Sequence, residues 1–401
     1  MSIRCTACKN GVLGDKLFSI PDLPLVDSFC TTKERAISVP RSTINLRQCV
    51  NCLTIQIEAP VDTSSIYKNY LYESSSSPDL EEHFRLYAEC LAGQVQIDAR
   101  ILEIGANDGL LIKQLKLRGF EDITAIDPSP QAREIDPKVA KVINDFFTVE
   151  STKSIKSRSI DLIIANNCFS HIPELEDVLS LCSNLLADNG LLVVEVQSTL
   201  SLIEGAIFDY IYHEHIFYHT ITSFSNVAKS AGLVICDADF VNTKGGSYRM
   251  FLSKPGRREV RTSVYYWRYR ELIAGIHGDE SWSRLEDYLA MVSEGISEFF
   301  DASREPIYGY GASATSTVLM RYFGIENKIE FVIDDNPKRQ GLYAPGSGLR
   351  TVSLDFVPSG SSCIVLAWRH KSIISQRVGS KFKRVFSPLP HPSYVTPNFA
   401  N

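Results

Sequence analysis

Four cysteines near the N-terminus have the spacing of a metal site. Cys5 and Cys8 form one C-x-x-C pair, and Cys49 and Cys52 form a second. Zinc takes four thiolates in tetrahedral geometry, and each pair supplies two sulfurs from one turn. Because sulfur would fill all four positions, the predicted zinc ion is structural. The alternatives are four unrelated reduced thiols or a redox pair, although neither pair opens a helix in a thioredoxin-like βαβ setting.

A glycine-containing turn at residues 102–109 has the features of a nucleoside-binding loop. It follows a predicted strand and opens a predicted helix. Gly105 and Gly109 let the backbone turn sharply and approach a ligand closely. The glycine spacing differs from the G-x-G-x-x-G of dinucleotide-binding turns, and Glu103, two residues before the first glycine, is typical of S-adenosylmethionine-binding loops. The pattern predicts that cofactor, and a bare strand–helix turn is the alternative.

More of the predicted cofactor pocket comes from the following strands. Asp127 ends the second strand, where a carboxylate can accept hydrogen bonds from a ribose diol. Residues 144–147 would follow the third strand and offer a polar group and a ring to an adenine. Asn166 ends the fourth strand, at the carboxyl edge where open α/β sheets bind ligands. The predicted cofactor-binding residues are Glu103, Gly105, Asn107, Asp108, Gly109, Asp127, Asp145, Phe146 and Asn166.

Two histidines lie two residues apart in the segment Tyr-Ile-Tyr-His-Glu-His at residues 210–215. A histidine with a pKa near neutral can take a proton from a carbon next to a carbonyl, with Tyr or Glu orienting it. A metal site is a second interpretation, although an H-x-H pair without a third ligand supports it weakly. Buried, hydrogen-bonded aromatic residues are the third.

The elements that must position these residues are read from apolar periodicity. Short apolar strands alternate with amphipathic helices from residue 100 onwards, which indicates a parallel sheet covered by helices. A helix is predicted at residues 80–91 with Asp79 as N-cap, and a closing strand at 245–253. The predicted core strands are 101–104, 123–126, 160–165 and 191–196, and the core helices are 110–117 and 175–186. A second, shorter alternation begins at Ile307.

The chain has 401 residues and a formal net charge of −6, which gives no reason to expect nucleic acid or an anionic membrane as a partner. No apolar run approaches the roughly 18–20 residues that cross a bilayer, and the first residues lack a signal peptide's apolar core. We therefore expect a cytoplasmic protein with reduced thiols, a small-molecule substrate, and a monomeric or small homo-oligomeric state.

The chain resembles the S-adenosylmethionine-dependent sugar C-methyltransferases, which act on nucleotide-linked 4-keto-deoxysugars, typically at C3. The resemblance covers the four cysteines and, in order, residues 67–77, 103–111, 161–173, 208–218, 245–249 and 309–341. It implies an α/β fold with a Rossmann-like class I methyltransferase core. A zinc-binding domain at 1–74 precedes the core at 75–255, and a smaller α/β domain at 256–401 follows and contributes to the sugar-nucleotide site.

The resemblance also implies roles for individual residues. His215 corresponds to the favoured general base, with Tyr212 and Glu214 in the same pocket and Tyr72 facing the sugar. The implied substrate-binding residues are Tyr70, Asn167, His171, Gly246, Arg249, Tyr310 and Gly311. The implied reaction is proton removal next to the ketone, followed by attack of the resulting enolate on the methyl group.

The C-terminal block departs from the family pattern. Thr315, Ser316 and Thr317 stand where lysine, glycine and asparagine are usual, and Asp335 replaces a common basic residue. The two missing positive charges leave open an acceptor with a different nucleotide or without one. Two other functions also stay open: a nucleotide-sugar dehydrogenase or reductase, and a catalytically inactive binding protein.

Overall fold

Three β-sheets follow one another along the chain. The structure is a computed structural model and describes residues 3–60, 74–76 and 78–395. The first sheet is antiparallel and contains β1 (Leu13–Pro24), β2 (Arg41–Cys49) and β3 (Ile55–Ile57), with helix α1 (Lys33–Ile37) between the first two strands. Its fourth strand comes from much later in the chain and pairs with β3, where Tyr218 lies opposite Ile55.

The central sheet carries helices in most of its connections. Its region contains α2 (Pro78–Ala92), β4 (Ile101–Ile104), α3 (Leu110–Leu117), β5 (Ile123–Ile126), β6 (Lys141–Ile143), β7 (Ile160–Asn166), α4 (Leu175–Leu185), β8 (Leu186–Gln197), α5 (Thr199–Glu204), β9 (Phe217–Tyr218), α6 (Ile221–Ser230), β10 (Val234–Val241) and β11 (Ser247–Ser253). The strand order is β10-β11-β8-β7-β4-β5-β6. The five strands from β6 to β8 are parallel. The predicted α/β class with a Rossmann-like core is confirmed.

Several predicted boundaries are corrected. Helix α2 begins at Pro78, so Asp79 lies inside the helix and is not its N-cap; proline suits a first helical position because its missing N–H would be unsatisfied there. Strand β8 begins five residues before the predicted Leu191, since Leu186 already pairs with Ile160. The predicted closing strand is β11, which begins at Ser247 and lies antiparallel between β8 and β10. The sequence analysis did not predict β10.

The C-terminal region begins with two helices and ends in a third sheet. Its elements are α7 (Thr262–Ala274), α8 (Asp279–Ala302), β12 (Ile307–Tyr310), α9 (Ala314–Phe323), β13 (Val332–Ile333), β14 (Thr351–Val352), β15 (Ser361–Val365), α10 (Lys371–Val378), β16 (Phe382–Ser387) and β17 (Ser393–Tyr394). The order is β14-β13-β12-β15-β16-β17, and only β17 is antiparallel to its neighbour.

One aromatic cluster joins the three regions. The ring of Phe18 on β1 lies 5.8 Å from Tyr322 on α9 and 6.2 Å from Trp282 on α8. Phe208, from the central region, lies 4.6 Å from Tyr322. Phe18, Phe208 and Trp282 are at most 1% exposed. Because aromatic rings bury large areas, this contact makes the regions one packed unit.

Within residues 3–60, 74–76 and 78–395, no helix is both long and apolar enough to span a membrane.

Candidate active site and metal centre

A cavity of about 680 Å³ opens at the carboxyl edge of the central sheet. This volume lies within the range of small-molecule pockets. Its wall includes the residues that follow β4, β5 and β7, which is where open α/β sheets bind ligands. Eight of the predicted site residues line it: Glu103, Gly105, Asn107, Asp127, Phe146, Asn166, Asn167 and His171.

The turn after β4 has a backbone that its sequence explains. Gly105 has a φ of +75°, and an added Cβ would lie 2.8 Å from the Cβ of Cys168. Asn107 also has a positive φ, and its N–H donates to Oδ2 of Asp127 at 2.9 Å. The second carboxylate oxygen of Asp127 accepts from the Ser129 N–H at 2.7 Å. The predicted glycine turn and the predicted acid are therefore locked together at the cavity wall.

Unpaired polar atoms face this cavity. Glu103 is 3% exposed, and its Oε2 has no hydrogen-bond partner among the described residues. Both amide atoms of Asn166 are likewise buried without a partner there. Burial first, and then the charge of Asp127, raises the pKa of Glu103 well above its usual value. Buried polar groups are normally satisfied, so this wall is built to receive a polar ligand.

Three predicted cofactor residues do not line the cavity. Asp108 instead accepts the N–H of Ser75 through Oδ2 at 2.9 Å, while Gly109 is the left-handed N-cap of α3. Asp145 is exposed, and its Oδ1 accepts the N–H of Phe146 at 2.8 Å. These residues shape the loops that carry the cavity wall.

The histidine segment lies beside the cavity, and the geometry fixes two imidazole tautomers. Nδ1 of His215 lies 2.8 Å from the carbonyl oxygen of Tyr210, and Nδ1 of His171 lies 2.7 Å from that of Glu214. A carbonyl only accepts, so each Nδ1 carries a proton, and in the neutral His215 ring Nε2 keeps a lone pair. The two rings are 4.9 Å apart, and of the two only His171 is among the residues that line the cavity.

Both histidines are held neutral. Burial lowers the pKa of His171 to about 4. Burial first, and then the neighbouring His171, lowers the pKa of His215 well below its usual value. The ring of Tyr212 packs 4.2 Å from His215. Both imidazoles are therefore neutral at neutral pH.

Neighbouring regions hold this segment in place. Asp209 is fully buried and pairs with Arg369 at 2.8 Å, while it also accepts from Nε1 of Trp368 at 2.9 Å. On the other side, Nε2 of His213 lies 2.9 Å from Oγ of Ser42 on β2. His213 thus belongs to the contact with the first sheet. Asp209 was not singled out from the sequence, because its partners lie about 160 residues away.

Four predicted substrate residues are outside the cavity wall. Arg249 forms a buried ion pair with Glu195 at 3.0 Å. Gly246 has a φ of +122°, and a Cβ there would meet Oγ of Ser201 at 2.3 Å. Tyr310 donates to Oδ1 of Asp335 at 3.0 Å. Gly311 directly follows β12 and has a φ of +104°. The structure brings none of the four into the wall. Tyr70 and Tyr72 lie outside the described residues.

Lys244 and Cys168 are among the wall residues that the sequence analysis missed. Lys244 lines the cavity, and burial lowers its pKa. Cys168 lines it as well, and its thiol donates to the Ile104 carbonyl at 3.3 Å. In the sequence, the one feature that marks Lys244 is the pair of glycines that follows it, since glycines interrupt the apolar pattern of the predicted closing strand. Cys168 carried no signal beyond its place two residues after Asn166.

The sulfurs of the four N-terminal cysteines lie together in one cluster. They lie within 4.8 Å of one another, with Cys5 to Cys52 at 3.9 Å and Cys8 to Cys49 at 3.8 Å. A tetrahedron of sulfurs at 2.3 Å from zinc has edges of about 3.8 Å. A Cβ on Gly11 would lie 2.4 Å from one sulfur and 2.5 Å from another. The cluster could hold a metal ion.

Comparisons with known proteins agree with this architecture. A methyltransferase-domain family matches residues 80–237, and a C-methyltransferase C-terminal domain family matches residues 242–385. The C-methyltransferase NovU of Streptomyces niveus is 25% identical over 365 residues, which cover 87% of this chain and 86% of that protein.

Solved methyltransferase structures are more distant. A Burkholderia thailandensis 1,6-didemethyltoxoflavin-N1-methyltransferase with bound S-adenosylhomocysteine is 14% identical, with a TM-score of 0.38 over 53% of this chain and 95% of that chain. The magnesium protoporphyrin IX methyltransferase of Synechocystis PCC 6803, also with bound S-adenosylhomocysteine, is 13% identical and has a TM-score of 0.35. That match covers 43% of this chain and 83% of that chain. On the two family matches and the NovU relative, the chain belongs to the S-adenosylmethionine-dependent C-methyltransferases.

Proposed function

We propose that the enzyme methylates the carbon next to the keto group, at C3, of a nucleotide-linked 4-keto-deoxysugar. The observation that carries the proposal is the pair of neutral histidines beside the cavity. Each imidazole has its Nδ1 proton fixed by a backbone carbonyl, and Nε2 of His215 is the proton acceptor that this arrangement leaves. The C-methyltransferase family matches and the resemblance to sugar C-methyltransferases supply the substrate class.

The cofactor would be held by the wall at the carboxyl ends of β4, β5, β6 and β7. Glu103 and Asn166 offer the unpaired polar atoms, Asp127 offers a carboxylate to a ribose diol, and Phe146 offers a ring to the adenine. When bound, S-adenosylmethionine supplies an electrophilic methyl group.

The reaction begins when Nε2 of His215 removes the proton from the carbon next to the ketone. The electron pair of the broken C–H bond forms an enolate, and the ketone stabilises it. With S-adenosylmethionine bound, the enolate carbon would take its methyl group, S-adenosylhomocysteine would leave, and the ketone would re-form. Tyr212 and His171 orient the base, because they pack against its ring. Holding both reactants together accounts for roughly 7–11 kcal/mol of the barrier.

A keto acceptor without a nucleotide is the second candidate, and one observation favours it. Asp335, which replaces a usual basic residue, accepts from Tyr310 and forms an ion pair with Arg377. This arrangement places a carboxylate at the third sheet, where a diphosphate would need positive charge.

We also propose that the cysteine cluster holds a structural zinc ion. The sulfur separations fit the ion, and backbone N–H groups support two of the thiolates: Ala7 donates to Cys5 at 3.3 Å, and Asn51 donates to Cys49 at 3.4 Å. Four thiolates leave no open coordination position, so the ion would stabilise the first sheet and take no part in methyl transfer.

The experiment that tests the proposed function uses methyl-labelled S-adenosylmethionine with a panel of nucleotide-linked 4-ketosugars and their nucleotide-free counterparts. Mass spectrometry should show label on the carbon next to the ketone of a nucleotide-linked compound. Label only in nucleotide-free compounds would select the second candidate. Oxidation of NADH by the same compounds, without label transfer, would identify a reductase instead.

A further inference from the structure

An arginine from the third sheet reaches the histidine segment. Arg369 lies in the turn between β15 and α10, and its Nη1 and Nη2 donate to the two carboxylate oxygens of Asp209 at 2.8 and 3.0 Å. A bidentate pair of this kind fixes the orientation of both groups as well as their distance. Nε1 of Trp368 donates to the same carboxylate at 2.9 Å. The C-terminal region therefore binds the chain directly before Tyr210.

The turn that carries Arg369 is itself held against β12. The carbonyl of Tyr310, at the end of β12, accepts the N–H groups of Leu366 and Ala367 at 2.9 Å each. The next residue is Gly311, where a Cβ would lie only 2.4 Å from the Cβ of Ala367. Glycine allows this close approach of the two backbones. The Arg369 side chain therefore extends from a fixed part of the third sheet.

Tyr210 connects this contact to the proposed base. The guanidinium carbon of Arg369 lies 4.5 Å from the centroid of the Tyr210 ring, which is within the range of a cation–π contact. The same ring is parallel to the His215 ring to within 3°, with the two centroids 5.8 Å apart. The carbonyl of Tyr210 accepts the Nδ1 proton of His215 at 2.8 Å. Both the ring and the carbonyl of Tyr210 therefore face the imidazole that must be oriented.

Another ion pair between regions offers a comparison. Nη2 of Arg321 on α9 lies 2.7 Å from Oδ2 of Asp22 on β1. The side chain of Asp22 is 52% exposed, whereas that of Asp209 is fully buried. Exposed pairs contribute little to stability because water screens them. Arg321 and Asp22 also lie outside the histidine segment, so this pair joins two regions without contacting the proposed base.

We propose that Arg369 is a positioning residue for methyl transfer, which acts through Asp209 and Tyr210 to hold the His215 imidazole in the tautomer of a base. This inference rests on the proposed function, in which Nε2 of His215 accepts the proton. If the Tyr210 carbonyl moves, Nδ1 loses its acceptor and the proton can lie on either ring nitrogen. Fewer molecules then have a lone pair on Nε2, and proton removal slows.

The first test reads the His215 tautomer by nuclear magnetic resonance. The full-length enzyme is labelled with heavy nitrogen in its histidines and loaded with S-adenosylhomocysteine, and the His215 signals are assigned by their loss in His215→Gln. In the parent, the neutral ring should carry its proton on Nδ1 alone. Arg369→Met should show a mixture of the two neutral tautomers. Arg321→Met is the matched control and should keep the parent tautomer.

A double variant guards against misfolding. Arg369→Met leaves the Asp209 carboxylate buried without its cation, which destabilises a protein. Asp209→Asn combined with Arg369→Gln removes both charges and should give the same mixture of tautomers. Arg369→Lys restores a cation without the bidentate geometry, so its His215 should favour the Nδ1 tautomer more than that of Arg369→Met.

The second test measures deuterium exchange at the carbon next to the ketone of a thymidine-diphosphate-linked 4-ketosugar. Arg369→Met and the double variant should exchange roughly tenfold more slowly than the parent, a smaller loss than the about 10²–10⁴-fold contributed by a positioned base. Their dissociation constants for S-adenosylhomocysteine and for the ketosugar should stay close to those of the parent, because Arg369 contacts the base and not the ligands.

A pure Nδ1 tautomer in both Arg369→Met and the double variant would overturn the inference. The same mixture in Arg321→Met, or failure of both Arg369 variants to fold, would overturn it as well, because the pair would then be structural. The tautomer is measured without an acceptor, so the two proposals fail separately. A parent without proton exchange, combined with altered tautomers in the variants, would remove the proposed base and leave the positioning role.

Discussion

Replacement of Gly105 by alanine tests the cofactor turn with a magnitude that follows from the structure. The residue lines the cavity and has a φ of +75°. A non-glycine residue in this left-handed conformation costs roughly 1–2 kcal/mol. The new methyl group would also lie 2.8 Å from Cβ and 3.2 Å from Sγ of Cys168, and such overpacking costs roughly 1–3 kcal/mol. The expected loss in the free energy of unfolding is therefore about 2–5 kcal/mol.

The matched control is Gly341→Ala. Gly341 has a φ of +87°, but a Cβ there meets nothing within 4 Å. This variant should lose only the backbone part, about 1–2 kcal/mol. Chemical denaturation measures both losses, and calorimetry measures the dissociation constant for S-adenosylmethionine. Gly105→Ala should weaken binding at least tenfold, which is about 1.4 kcal/mol, while Gly341→Ala should bind like the parent.

A second substitution separates the clash from the strain. Cys168→Gly in the Gly105→Ala background removes both atoms that the new methyl group meets. We expect cofactor affinity to return towards that of the parent, while the cost of the left-handed backbone persists. If Gly105→Ala binds S-adenosylmethionine as tightly as the parent, the turn after β4 is not the cofactor site and the reasoning fails.

Three further predictions concern the metal cluster, the histidines and a buried ion pair. Cys5→Ser or Cys49→Ser should lower stability and solubility, and elemental analysis of the parent should find one zinc ion per chain; protein without zinc would refute this. A base that works as the neutral imidazole stays active until the pH falls to its pKa. Because burial lowers the histidine pKa values, to about 4 for His171, kcat/KM should stay constant as the pH falls well below the ordinary histidine pKa of about 6.5. A loss of kcat/KM centred near pH 6.5 would contradict this prediction. Arg249→Met should lower the free energy of unfolding by less than the roughly 3–5 kcal/mol of a buried charge left alone, because the fully buried Glu195 keeps His83 at 2.8 Å, and it should leave the cofactor dissociation constant unchanged in calorimetry.

The sequence was sufficient for features that depend on local pattern. The turn at Gly105, the strand ends at Asp127 and Asn166, and the four-cysteine cluster all follow from residues whose spacing determines their geometry. Strand β4 and helix α3 have the predicted bounds because their apolar residues repeat at the periods of a buried strand and a helix.

The remainder depends on contacts between distant segments. Asp27 lies 3.6 Å from Arg339, more than 300 residues later, and β9 pairs with β3 across more than 150 residues. Arg249 resembled a substrate residue in sequence, yet in the structure it pairs with Glu195. No local pattern indicates such partners, since long-range pairing is set by the packing of whole elements. The roles of the histidines and of Arg249 in substrate binding stay predictions.

Proton exchange at the reacting carbon is the most direct test of base-assisted methyl transfer. The parent enzyme, loaded with S-adenosylhomocysteine and a 4-ketosugar in heavy water, should incorporate deuterium at the carbon next to the ketone. His215→Gln should slow this exchange by about 10²–10⁴-fold with both ligands still bound, and His213→Gln, whose imidazole contacts Ser42, should exchange nearly as fast as the parent. Exchange at the parent rate in His215→Gln would contradict the account and transfer the role of base to another group.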